Sequence, residues 1–121
     1  WSSGPTATWF ALEQGFKEIY LLGMDFGGVK SGTKEKLRIN NIYKGTRNYR
    51  DGKKEATFHG NWENQMRKNC VHNPDAKFIR ISDKHIPEFR FVPKKLKDVT
   101  NMSMIFYEDL EVLMSAWPKL R

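Results

Sequence analysis

The residues of this chain best suited to chemistry are a histidine ahead of a helix-like run, a loop that interleaves tyrosines with cations, and an aspartate that follows an apolar run. His59 stands in Phe58-His59-Gly60-Asn61. An unperturbed imidazole titrates near neutral pH, so His59 could act as a general base; capping a helix or covering a surface is the other reading. Tyr43, Lys44, Arg47, Tyr49 and Arg50 alternate rings with positive charge. That pattern suits a phosphate, or single-stranded nucleic acid whose bases stack on the rings, and a solvated loop carries it equally well. Asp25 could hold a ribose, bind a metal bridged to a diphosphate, or cap the next turn, and capping is the simplest of the three. His72 and His85 show no ligand spacing with His59, and no His/Asp/Glu cluster resembles a metal site, so no metal is expected. Cys70 is the lone cysteine, which excludes an internal disulfide or a cysteine-based zinc site and fits a reducing compartment. It falls at the spacing of Trp62 and Met66, so it reads as a buried, inert thiol.

These residues need elements to hold them. Ser2, Ser3 and Gly4 are cap-type residues, and Pro5 has the fixed φ that suits the first turn of a helix. Ala7, Phe10, Ala11 and Gln14 share one face of that helix, and Trp9, Leu12 and Phe16 another, so it is expected to pack between layers. Gly15 fits the left-handed residue that ends it. Residues 18–23 (EIYLLG) form a short apolar run closed by glycine, which reads as a strand buried on both faces. Residues 24–55 show no sustained period and read as a long functional or mobile loop, with a short strand or turn around residues 39–43. Asn61 opens a second helix, with Trp62, Met66 and Cys70 at i, i+4 and i+8, ending before His72-Asn73-Pro74. Residues 77–81 (KFIRI) form a second strand, spaced as in a βαβ crossover. A polar stretch with Pro87 and Pro93 follows. Phe106, Leu110, Leu113, Met114 and Trp117 then mark an amphipathic helix that Pro118 terminates.

In such a unit the helix runs antiparallel to the strand, so the helix start and the strand end share one edge of the sheet. Ser3 and Gly4 then lie beside residues 24–28. Ligands of open α/β sheets bind at that carboxyl edge, and helix N-termini favour anions, so a phosphate or carboxylate is expected near Ser3 and Gly4. The expected fold class is α/β, a Rossmann-like three-layer fragment with a small, mainly parallel sheet flanked by helices. A helix opening a parallel unit should follow a strand, so residues 1–121 read as one α/β domain that forms the carboxyl-terminal part of a larger domain, or that pairs with another chain.

Composition bounds the partners. The net charge of +7 over 121 residues favours anions: nucleotides, nucleic acid, phosphorylated sugars or acidic membrane surfaces. No apolar run approaches the roughly 20 residues of a membrane helix and no signal-peptide pattern appears, so no membrane span is expected and the cytoplasm is the expected location.

Ser3-Gly4 and the run ATWFALEQGFKEIYLLGMDF, residues 7–26, resemble a segment of the bacterial sialyltransferases that use CMP-sialic acid, and of the related glycosyltransferase-like domains of motility accessory factors. GFKEIYLLGMD is the distinctive part. The resemblance is close over the first helix and strand and loose over about half the chain. It implies a nucleotide-sugar-binding fold with a CMP-linked donor. It also implies backbone contacts to the nucleotide from Ser3 and Gly4, tyrosines after the Asp25-Phe26 strand end that hold the leaving phosphate (Tyr43 first, Tyr49 second), and His59 as the base on the acceptor hydroxyl. Gly27 stands where the family often has a tyrosine, and the family's amino-terminal nucleotide-binding half, with its Gly-rich first loop, is not among these residues. Two other functions fit the composition: a non-catalytic nucleic-acid-binding module, and a structural or oligomerising domain whose missing strand comes from a partner or a second copy.

Overall fold

The computed structural model of the chain describes residues 3–24, 29–31, 34–38, 46–47, 61–85 and 94–117. The first helix, α1 (Ser3–Glu13), tolerates Pro5 because first-turn N–H groups have no intrahelical acceptor. It ends as expected at Gly15, whose φ is +91°. There the Gly15 N–H donates to the Leu12 carbonyl (2.9 Å) and the Phe16 N–H to the Ala11 carbonyl (3.2 Å), the paired bonds of a Schellman cap. The chain then enters β1 (Glu18–Leu22). An antiparallel hairpin of β2 (Val29–Ser31) and β3 (Lys34–Arg38) follows, with a register shift between Lys30 and Ser31. Next come α2 (Asn61–His72), β4 (Lys77–Ser82), a 3-10 turn (Lys94–Leu96), β5 (Met102–Phe106) and α3 (Tyr107–Ala116).

The strands β1, β4 and β5 make one sheet in that order, all parallel. Ile19 pairs with Phe78 and Leu21 with Arg80; Phe78 pairs with Met102 and Arg80 with Met104. Paired residues project to the same side, so Ile19, Leu21, Phe78, Arg80 and Met102 share one face. That face carries the core: Leu12 of α1, Met66 and Cys70 of α2, and Leu96 pack with Leu21, Ala76 and Phe78. The opposite face presents Tyr20, Ile79, Ile81 and Ile105, and α3 packs against β4 and β5 there. Helices therefore flank both faces of a small parallel sheet. The described residues form the expected α/β, Rossmann-like fragment.

The amino edge of the sheet is tied by side-chain amides. Asn101 Nδ2 donates to the carbonyls of Cys70 and Asn73, both at 3.0 Å, adding to the backbone N–H groups of Asn73 and Ala76 that these carbonyls already accept at the end of α2. Backbone bonds from Lys77 to Lys17 and from Phe78 to Asn101 join the starts of the three strands.

Several expectations change. β1 is an edge strand of the described sheet, and only Leu21 is fully buried along it; Leu22 is 58% exposed, so the strand is not covered on both faces. α1 buries one stripe, Pro5, Thr8 and Leu12, against α2, while Trp9 and Phe10 face outward. It is packed on one side rather than between layers. The stretch expected as loop contains the β2–β3 hairpin, and the polar stretch before α3 contains β5. Phe106 belongs to that strand, and no residue of α3 is fully buried, with Met114 and Trp117 exposed. The turn or strand expected around residues 39–43 lies outside the described residues.

Candidate functional site

Every helix of this sheet begins at the carboxyl edge, as the antiparallel run of helix and strand requires. There the first turn of α1 meets the chain leaving β1. A Cβ placed on Gly4 would stand 3.2 Å from Met24 Cε, so the first turn of α1 lies directly against Met24, two residues past the end of β1. Thr8 Oγ1 donates to the Gly4 carbonyl at 3.0 Å, and Asn69 Nδ2, buried on α2, donates to the Pro5 carbonyl at 2.9 Å. The start of α1 is therefore held from inside its own helix and from its neighbour.

Gly23 turns the chain off β1 with φ +73°, a left-handed conformation that a side chain would strain. Beyond it the Met24 carbonyl accepts a hydrogen bond from Arg80 Nε at 3.2 Å. Arg80 is 1% exposed in the middle of the central strand, beneath this rim. A buried guanidinium needs partners, and Arg80 makes polar interactions beyond the bond to Met24. Two residues on, Ser82 closes β4 on the same face, also buried.

On the far side, the edge is closed by charge. Asp109 Oδ2 accepts the Phe106 N–H at 3.0 Å, placing a carboxylate over the first turn of α3. Lys84 Nζ meets Glu108 Oε1 at 2.9 Å, and this bond holds the Glu108 carboxyl below its ordinary range. Asp83 Oδ1 accepts the His85 N–H at 2.8 Å. The first turn of α1, by contrast, contains no acidic residue. An anion approaching this edge meets compensated charge at α3 and, at α1, a first turn with no acidic residue of its own.

A comparison of the chain with protein-family models, curated proteins and solved structures finds no match. The reading of the site rests on the residues themselves.

Ser3 and Gly4 lie where the helix–strand geometry puts them, at the carboxyl end of β1; Ser3 is exposed and Gly4 half-buried. Asp25, Tyr43, Tyr49 and His59 lie outside the described residues, so the structure does not show whether they converge on this edge. Among the described residues no group of three His, Cys, Asp or Glu side chains could hold a metal. His85 lies at the carboxyl edge just past β4, whereas His72 ends α2 at the opposite edge. Cys70 is 1% exposed, and burial pushes its thiol up to about 11, so the expectation of an inert thiol agrees with its surroundings. Sequence reasoning passed over Arg80. The signal was present, because a cation inside the apolar run Phe78-Ile79-Arg80-Ile81 of a central strand must find acceptors.

Proposed function

We propose that the chain forms one wall of a nucleotide-sugar site in a glycosyltransferase-like domain of the sialyltransferase type, taking a CMP-linked donor. The observation that carries this reading is the packing of Gly4 against Met24, which sets the N-terminus of α1, with no acidic residue in its first turn, at the carboxyl edge of a parallel sheet. That edge is where α/β sheets hold phosphorylated ligands. In an active domain, Ser3 and Gly4 contact the nucleotide, Tyr43 and Tyr49 receive the leaving phosphate, Asp25 lines the rim, and His59 removes the acceptor proton. Catalysis requires the family's other nucleotide-binding half. Binding is the activity to test first: calorimetric titration with CMP, UMP and their sugar conjugates should show saturable heat with CMP-bearing ligands. An absence of binding at millimolar nucleotide would sink the proposal for this chain.

The surface supports a second reading, an assembly role. Trp9 and Phe10 on α1, Phe16 just after it, and Leu22 on the edge strand β1 are each close to half exposed or more. Unpaired strand edges with apolar flanks accept another strand. Light scattering should then show a dimer or larger species, and a stable monomer at high concentration excludes self-association.

A further inference from the structure

Ser82 is the polar side chain at the carboxyl edge that the fold leaves unused. It is 2% exposed, and its Oγ has no hydrogen-bond partner among the described residues. The buried Thr8 hydroxyl, by contrast, donates to Gly4. An unpaired buried hydroxyl destabilises a protein relative to alanine at the same place, so its presence points to a partner beyond the described residues.

Its position indicates which partner. Alternation along β4 puts Ser82 on the face of Arg80, whose Nε reaches the Met24 carbonyl, and Met24 lies against Gly4. In register Ser82 follows the Leu22–Ile81 pair, level with Gly23. The hydroxyl and the first turn of α1 thus belong to one corner of the edge. That first turn has no acidic residue, whereas α2 and α3 carry Glu63, Glu108 and Asp109 in theirs. Around this corner Ser3, Lys84 and His85 are exposed, and Asp83 is half-buried with Oδ1 engaged by the His85 N–H.

We infer that Ser82 and the N-terminus of α1 together hold the phosphate group of the ligand, with the Ser82 hydroxyl donating to one phosphate oxygen and the first-turn backbone N–H groups of Ser3 and Gly4 donating to others. Arg80 keeps the rim between them in place through Met24. The inference rests on the nucleotide-binding reading above and assigns the phosphate end of the nucleotide to this corner.

The test is calorimetric titration of the full chain with CMP, cytidine and inorganic phosphate, in wild type, Ser82→Ala and Ser82→Cys, alongside thermal unfolding. Ser82→Ala should bind CMP about 10-fold more weakly, leave any cytidine binding unchanged, and unfold at the same temperature or higher. Ser82→Cys, with a weaker donor of similar size, should fall between the two. Inorganic phosphate that binds wild type and is lost in Ser82→Ala would show that the corner recognises phosphate without the nucleoside. Unchanged CMP affinity in Ser82→Ala, with or without a lower Tm, overturns the inference and leaves nucleotide binding standing. A wild type that binds no CMP removes both.

Discussion

Arg67 and Asp98 show how an exposed pair at the residue scale can join elements distant in sequence. Arg67 on α2 forks onto Asp98, with Nη2 to Oδ2 at 2.8 Å, and Nη1 also reaches the Lys95 carbonyl at 3.0 Å. The hydrogen bonds from Arg67 hold the Asp98 carboxyl below its ordinary value of 3.8. The unfolded chain then binds a proton more readily than the folded one, so the pair's contribution is complete above about pH 4 and disappears as pH falls through the lower folded value. Asp75 beside Lys17 and Glu108 beside Lys84 act in the same direction. The urea midpoint should stay level from neutral pH to about pH 5 and drop below about pH 4, with a shallower drop in Arg67→Gln. Identical acid limbs in the two proteins would show that the pair adds nothing. Of the residues treated at this scale, Cys70 was legible because helical spacing alone puts it beside Met66, while Ser82 was not. Its burial and its lack of a partner depend on what packs over the strand end.

At the scale of elements, Gly15 gives the sharpest expectation. Its φ of +91° sits where L-residues are strained, and a Cβ there would meet nothing within 4 Å, so the cost of Gly15→Ala is conformational rather than steric. The variant should lose about 1–2 kcal/mol, read as a lower urea midpoint at unchanged slope. No loss would mean that the cap relaxes to another geometry. The termination of α1 was readable because a glycine after a helical run is a local signal. So were α2 and β4, which have strong helical spacing and a compact apolar run. β5 (MSMIF) merges into α3 without a polar break, since its last residue, Phe106, directly precedes Tyr107. Its apolar residues therefore read as part of the helix. The β2–β3 hairpin has charged strands, KEKLR on one side, so no apolar alternation announces it.

For the molecule as a whole, the parallel order β1–β4–β5 brings the ends of strands separated by long connections to one edge. Tyr20 meets Trp117 in an edge-to-face contact, with centroids 5.5 Å apart and planes at 83°, so the end of α3 reaches back across the sheet to β1. Apolar surface remains exposed on and just after α1, at Trp9, Phe10 and Phe16, which the periodicity of α1 marked as apolar without indicating what covers it. The alternation of helix and strand, the Gly15 stop and the proximity of Ser3 and Gly4 to the end of β1 were determined by the sequence alone. They follow from local propensity and from the geometry of a connected helix and strand. The tertiary structure decided that β1 is an edge of the described sheet, that Arg80 lies beneath the rim, and that Ser82 is buried without a partner among the described residues. Those facts depend on register and packing between segments far apart in the chain, and local residue patterns carry no information about either.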